Sequence, residues 1–313
     1  MLKMVKVLVT GGAGFIGSHI VDLLIENGHD VVIVDNLITG NKENINPKVR
    51  FYEVDMTKPA LREVFEKEKP EFVIHEAAQI NVRSSVEDPI FDATSNVLGT
   101  INVLECCKEF KVKKIVYSSS GGACYGEPEY MPCDEKHPVN PISHYGASKF
   151  AAEHYFYLYN FLYKIDYIIL RYSNVYGPRQ DPKGEAGVVS IFIEKLMAGK
   201  IPTINGDGKQ TRDFVFVGDV ARANLLALEK NPENKVFNIG FGKETSVNEI
   251  YSEIEEATGS DIKAKHGPAI PGEVYKIYLE CNLAKQELKW EPMVGIEEGI
   301  GRTTEWFSAK KAD

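Results

Sequence analysis

Six runs of apolar residues punctuate the first part of the chain: VKVLVT, DVVIVD, VRFYEV, EFVIHEAA, KKIVYSS and YIILRYS. They are nearly continuous in Val, Ile and aromatics rather than alternating with polar residues, the pattern of strands covered on both faces. Amphipathic stretches of helical length lie between them, near residues 15–27, 59–69, 89–110 and 145–163. Strand and helix in alternation predict a parallel sheet with right-handed crossovers and helices on its faces. Beyond residue 175 the order loosens into the turn-rich PRQDPKGEAG and INGDGKQTRD. A strand–helix pair in DFVFVGDVARANLLALEK, a strand in KVFNIG and short helical pieces complete the chain. The expected fold is α/β, a doubly wound parallel sheet with a smaller C-terminal α/β lobe. Residues 1–172, joined again by 214–240, form the first unit, and 173–213 with 241–313 the second.

Length fits that division, because single cores tend to stop growing near the size of this 313-residue chain and two lobes create a cleft. A hydrophobic fraction of 43% with 26% charged residues excludes a disordered chain. The net charge of -9 argues against nucleic acid as a partner, since phosphate backbones are bound through basic surfaces. No apolar run approaches the roughly 18 residues of a membrane helix. The N-terminal MLKMVKVLVTGG leads directly into glycines without a leader-like cleavage site, so a cytoplasmic protein without membrane attachment is expected. Five cysteines, Cys106, Cys107, Cys124, Cys133 and Cys281, show neither an even framework nor metal-ligand spacing. Reduced thiols and no metal site are expected.

The segment VLVTGGAGFIGSHIVDLLIENGHDVVIVDN places Gly11, Gly14 and Gly17 between a strand and a helix, with a second strand ending in Asp35. That context makes the triad the signature of a Rossmann-type dinucleotide site. The backbone must turn sharply and approach a pyrophosphate closely, with amides and the positive helix end facing the anion. Asp35 stands where it accepts hydrogen bonds from ribose hydroxyls and repels a 2'-phosphate, which favours NAD over NADP. Asp55 has two readings: it takes the adenine amino group, or it caps the helix that begins near Lys58.

The stretch HYGASK sets Tyr145 and Lys149 one helical turn apart, on one face. A free phenol with a pKa of about 10 is a poor base at neutral pH until something stabilises its anion. The ammonium and the positive ring of an oxidised nicotinamide both act in that direction.

TGGAGFIG (10–17), the serine run YSSS, YGASK (145–149) and RYSNVYGPRQ (171–180) follow one another in an order that resembles the extended branch of the short-chain dehydrogenase/reductase superfamily, the NAD-dependent epimerase/dehydratase family. Within it, GGACYGEPEYMPCDE, RQDPKGEAGVVSIF and GDGKQTRDFVFVGDVA are most similar to UDP-sugar 4-epimerases of the UDP-glucose (UDP-galactose) type. The resemblance implies Tyr145 as acid/base, Lys149 as its orienting partner and ligand of the nicotinamide ribose, and Ser120 as a hydrogen-bond partner of the reacting hydroxyl. Counted back from Tyr125 the serine position falls on Gly121, and Ser119 is an alternative. Cofactor contacts implied are Phe15 and Ile16 beside the glycines, Asp35, Asn36 and Gly40 at the adenosine ribose, Asp55 and Met56 at the adenine, Ala77, Ala78 and Gln79 below the pyrophosphate, and Asn96 beyond. His75 reads as a strand-end core residue.

On the substrate side the resemblance implies Asn174, Val188, Val189, Thr203 to Asn205, Arg212 and Glu273 around the UDP-sugar. Arg212 is physically the strongest of these, because a guanidinium bridges two phosphate oxygens, although a salt bridge to Asp219 is its alternative. Relatives carry an arginine three residues before the acidic residue, where this chain has Ile270; Lys265, His266 or Lys276 are candidates to compensate. The reaction implied is oxidation of the 4-hydroxyl, rotation of the 4-ketose and return of hydride to its other face, with NAD retained throughout. A 4,6-dehydratase needs an acid–base pair after the catalytic residue, where this chain has Gly121 and Gly122. A cofactor-releasing reductase, a UDP-N-acetylglucosamine 4-epimerase and a non-catalytic NAD-sensing protein remain as alternatives. Helices near 89–110 and 145–163 carry apolar residues on more than one face, and related enzymes form a four-helix homodimer seam there.

Overall fold

The structure, a computed structural model, describes residues 4–183, 187–269 and 274–312. Strands form at all six apolar runs: β1 (Lys6–Thr10), β2 (Asp30–Asp35), β3 (Arg50–Glu53), β4 (Phe72–His75), β5 (Lys114–Ser120) and β6 (Asp166–Tyr172). Shorter strands follow: β7 (Asn174–Tyr176), β8 (Thr203–Asn205), β9 (Thr211–Arg212), β10 (Phe214–Phe216), β11 (Val236–Ile239), β12 (Thr245–Ser246) and β13 (Lys265–Gly267). Seven of them make one parallel sheet in the order β11-β6-β5-β4-β1-β2-β3. The chain therefore winds outward from β1 on one side and from β4 on the other. Their shared boundary is the topological switch point, where the carboxyl ends of strands open a crevice for ligands.

Side chains alternate along each strand, so Val7 and Val9 face one layer and Leu8 the other. On the first face lie α1 (Phe15–Glu26) and α9 (Val217–Glu229), packed through Ile20, Val21, Leu24, Val220 and Leu228. On the second lie α2 (Ala60–Glu68), α5 (Gly99–Glu109) and α7 (His144–Tyr163), packed through Leu61, Phe65, Leu104 and Phe156. Between α2 and α5 come α3 (Val82–Glu87) and α4 (Pro89–Ala93), and α6 (Gly121–Tyr125) follows β5. The single helix expected over 89–110 is α4 and α5 joined by a π-helical turn, Thr94–Leu98.

A separate core gathers α8 (Val188–Met197), α10 (Val247–Thr258), α11 (Ile296–Ala312), β8 and β10 around Phe192, Ile193, Ile250, Ile254 and Ile300. The C-terminal helix is one element of 17 residues, longer than the short pieces expected. Ala284, Leu288 and Trp290, in the segment assigned from sequence to the second unit, pack instead into the first face of the sheet. The Trp290 indole donates to the Asp219 carbonyl at 2.9 Å. Among the described residues no helix is long and apolar enough to cross a membrane.

Candidate active site

Gly11 follows β1 at the switch point with φ of 71°, a left-handed conformation that glycine adopts without strain. A Cβ there would stand 2.7 Å from the Ala77 amide at the end of β4, and one on Gly17 would collide with the Gly11 carbonyl. Both close approaches bring backbone from β1, β4 and α1 together. Helix α1 starts at Gly14 without a side-chain cap, which leaves first-turn amides of Phe15 and Ile16 for an anion. Phe15 and Ile16 turn their side chains toward the second core. A glycine cradle ending at an uncapped helix fits the pyrophosphate of the expected dinucleotide.

At the end of β2, Asp35 accepts the Ala13 amide at 3.0 Å and the Leu37 amide at 2.8 Å. Burial raises its pKa and the two amides pull it back. Gly40 lies against this carboxylate, so a side chain at 40 would displace it. Asp55 accepts the Thr57 amide and hydroxyl, both at 2.8 Å. Burial opposes its ionisation, but these donors hold its pKa below the usual value. Asp55 thus closes a local turn at Thr57 and does not cap the following helix, since α2 begins after Pro59 without a side-chain cap. Met56 is buried beneath Gly99, and its carbonyl accepts the Asn102 amide at 2.6 Å.

The Ala77–Gln79 segment is fastened on both sides. The Ala77 amide donates to Thr10 Oγ1 at 3.2 Å, and the Gln79 amide to Asn96 Oδ1 at 2.8 Å. Asn96 Nδ2 contacts Gln79 O at 2.9 Å, Ser148 Oγ at 3.0 Å and Asp92 Oδ1 at 3.2 Å. Asn96 is buried and fully engaged, so its side chain supports the crevice floor rather than reaching a ligand. His75 is enclosed between Thr10 and Thr100, and burial with the Lys149 charge lowers its pKa to about 3. It is a neutral core residue.

Helix α7 is capped by Ser143, which accepts the Gly146 amide at 3.1 Å, while the Tyr145 amide donates to Ser85 Oγ at 3.1 Å. The Ser120 hydroxyl acts on the Tyr145 phenol in the direction that favours its anion. Ser120 also caps α6, accepting the Ala123 amide at 3.3 Å. The serines differ in their partners: Ser118 bonds Glu76 and Tyr172, Ser119 points to the α7 side of β5, and Ser120 ends the strand at the start of α6. Ser119 donates to Glu153 at 2.6 Å and is occupied there. Lys149 is buried with its ammonium 4.4 Å from the centre of the Tyr117 ring. Burial draws its pKa down to about 8, against the opposing fields of Glu76, Cys124 and Glu153. Burial also raises the pKa of Tyr145, and Ser120 pulls it down. The depressed phenol expected from sequence is therefore not a property of the protein alone, because desolvation outweighs its neighbours.

In the second lobe Asn174 is exposed on β7, Thr203 is half-buried on β8, and Asn205 is exposed at its end. Val188 opens α8 half-buried, but Val189 has no exposed surface and belongs to the lobe core. Its side chain cannot touch a ligand; only its backbone remains for that role. Arg212, half-buried on β9, donates to Thr211 O at 2.8 Å. Asp219 is paired with Arg222 at 2.8 Å. Of the residues weighed against the arginine absent at 270, Lys276 pairs with Glu244 at 3.0 Å, His266 Nδ1 lies 2.8 Å from Gly206 O, and Lys265 is exposed. Ile270 and Glu273 lie outside the described residues.

Three ionisable residues near the centre escape a reading of local motifs. Glu76 ends the FVIHE run, Arg171 sits inside YIILRYS, and Glu153 lies one turn beyond Lys149. Each is a charge placed in a stretch destined for burial, and such a charge requires a partner. That is the signal by which they could be found.

The profile of the NAD dependent epimerase/dehydratase family matches residues 7–240. A putative UDP-glucose 4-epimerase of Methanocaldococcus jannaschii is 58% identical over 301 residues, covering 96% of this chain and 98% of its own. The structure of a UDP-glucose 4-epimerase with UDP-glucose from Thermotoga maritima superposes with a TM-score of 0.96 at 47% identity, over 98% of this chain and 99% of the other. That of a Thermus thermophilus UDP-glucose 4-epimerase in complex with NAD gives 0.92 at 43% identity, over 97% and 99%.

Proposed function

The chain belongs to the NAD dependent epimerase/dehydratase family, and we propose that Ser120, Tyr145 and Lys149 form its reaction centre. The protein is an isomerase that inverts C4 of a UDP-hexose, UDP-glucose or UDP-galactose, with NAD as cofactor. NAD, when bound, supplies the acceptor and donor of the C4 hydride. The glycine cradle with Asp35 holds it. Tyr145 takes the proton of the sugar 4-hydroxyl and returns it, Ser120 orients that hydroxyl, and Lys149 stabilises the phenolate electrostatically. Burial raises the pKa of the phenol in the protein alone, and the positive ring of a bound NAD would add to the Lys149 charge in favouring its anion.

The observation that carries this reading is Tyr145 on α7 with Lys149 buried one helical turn along and Ser120 acting on the phenol from the end of β5. Gly121 and Gly122 follow Ser120, and glycine has no group to transfer the protons that elimination of water requires. In the second lobe, Arg212 with Asn174, Thr203, Asn205 and the backbone at Val188 and Val189 is proposed to grip the uridine diphosphate. The NAD-binding unit comprises 1–172 and 214–240, extended by the 281–290 segment, with the remainder as the nucleotide-sugar lobe.

A homodimer is part of the same proposal. Leu104 and Phe156 face the core, but Ile90 (78% exposed), Leu98, Tyr157, Phe161 and Leu162 form an apolar face on the paired helices α4–α5 and α7. Purified protein incubated with UDP-galactose and no added cofactor should yield UDP-glucose. A 4-keto-6-deoxy product, or turnover only with external reductant, would replace the reading by dehydratase or reductase chemistry. A monomer by light scattering would remove the dimer.

A further inference from the structure

We propose that Tyr117 is a positioning residue of this reaction, its ring face a neutral seat that holds the buried Lys149 ammonium in place and leaves its N–H groups to the cleft. The proposal rests on the reaction centre assigned above. Tyr117 opens the YSSS run, whose serines are taken up by Glu76, Glu153 and the start of α6. It stands on the interior strand β5, opposite His75 of β4 and Ile169 of β6, and packs into the layer that α7 covers. Two residues of that helix, seven apart and so on one face, meet its ring. Phe156 stacks on it with centroids 4.6 Å apart, and the Lys149 ammonium lies 4.4 Å from its centre. The Tyr117 hydroxyl is buried without a hydrogen-bond partner among the described residues. The ring, rather than the oxygen, is the part of this side chain that makes contacts.

A buried ammonium needs compensation for the water it has lost, and the usual partner is a carboxylate. Here the nearby carboxylates are engaged elsewhere. Glu153 is bound twice by Arg171, and Asp92 accepts from Gln79 and Asn96. Glu76 accepts from Ser118 and from Tyr172, whose ring belongs to the layer on the other side of the sheet. His75, 5.6 Å from the Tyr117 ring, is neutral, and Cys124 is a thiol whose pKa burial raises to about 11. Among the described residues no hydrogen bond or ion pair holds the Lys149 ammonium, and the Tyr117 ring is the face it rests on. The distinction is chemical. A carboxylate would cancel the positive field and occupy donors, whereas the negative face of a ring stabilises the cation and leaves its three N–H groups for a phenolate and ribose hydroxyls.

The test follows Lys149 itself. In protein labelled with 13C at lysine Cε, its resonance is assigned by its absence in Lys149→Met, and its titration midpoint is compared between variants. Tyr117→Met replaces the ring with a flexible chain; the midpoint falls by about one pH unit, and the alkaline limb of the kcat profile falls with it. Tyr117→Phe keeps the ring and drops the unpaired hydroxyl, and its midpoint stays at the wild-type value. Phenylalanines bearing one, two and three fluorines at the same position keep the shape and weaken the negative face, so the midpoint steps down with each fluorine. That series also serves if the methionine variant does not fold. An unchanged midpoint in Tyr117→Met, an equal fall in Tyr117→Phe or a flat fluorine series overturns the proposal. The titration is read without sugar, so its outcome is independent of the product analysis that tests the reaction.

Discussion

Glu153 and Arg171 are joined by two hydrogen bonds, Oε2 to Nη2 at 2.6 Å and Oε1 to Nε at 3.0 Å, with both side chains 5% exposed. Ser119 and Tyr125 complete the cluster, the tyrosine hydroxyl lying 3.1 Å from Nη1. The pair locks α7 onto β5 and β6 one turn beyond Lys149. Arg171→Met leaves a buried carboxylate without its cation, and we expect a loss of about 3–5 kcal/mol of stability in urea unfolding. The double variant Glu153→Gln/Arg171→Met loses less than the sum of the two single changes, because the second removes the charge that the first strands.

Tyr145→Phe removes the group assigned to carry the proton while keeping its packing. The expected result is a fall of about 10²–10⁴-fold in kcat with an unchanged melting temperature.

The serines separate by what they move. Ser120→Ala lowers kcat by about tenfold or more through its lost influence on Tyr145, and costs about 1 kcal/mol of stability because it uncaps α6. Ser119→Ala deprives buried Glu153 of a donor, so it costs about 1–3 kcal/mol in thermal unfolding and leaves kcat nearly intact. The reverse assignment of effects would move the substrate contact to Ser119.

Asp213 ties β9 to the 240s loop and to Leu279, accepting the Phe241 amide at 2.7 Å, the Gly242 amide at 3.1 Å and the Leu279 amide at 3.2 Å. Burial raises its pKa from 3.8 to about 6, against those amides. The folded state then holds the proton more tightly than the unfolded one, so stability contributed by this group is present at low pH and declines as pH rises from about 4 to about 6. Relative to Asp213→Asn, wild-type stability should fall by about 3 kcal/mol across that window, measured by denaturant titration at each pH. A flat difference would show that the carboxylate ionises freely in the fold.

Asp35→Asn removes the charge and keeps an acceptor for only one of the Ala13 and Leu37 amides, which are bound by separate carboxylate oxygens. NAD affinity should weaken by about tenfold and discrimination against NADP should narrow, both read by isothermal titration.

Where chemistry lies in contiguous residues, it was legible in the sequence. The glycine loop is constrained by one turn and YGASK by one helix turn, and the six strands announce themselves by unbroken apolar runs. That Ser119 is taken up by Glu153 of α7 depends on the phase of β5 and on a residue 34 positions away, neither of which a local motif shows. Glu76 and Tyr172 meet across 96 residues of chain, so no local pattern links them. Val189 was assigned to the ligand from its motif, while its burial follows from α8 packing in a separate core. Helix α10 carried readable signals, a Ser246–Glu249 capping box and Gly259 in the left-handed region at its end, although it was not anticipated.

The π-helical turn at Thr94–Leu98 brings Asn96 inward to where it grips Gln79 and Ser148 at once. The ledge proposed to lie beneath the dinucleotide and the helix proposed to handle the proton are thereby riveted together, so the distance between them should stay constant while a bound sugar turns.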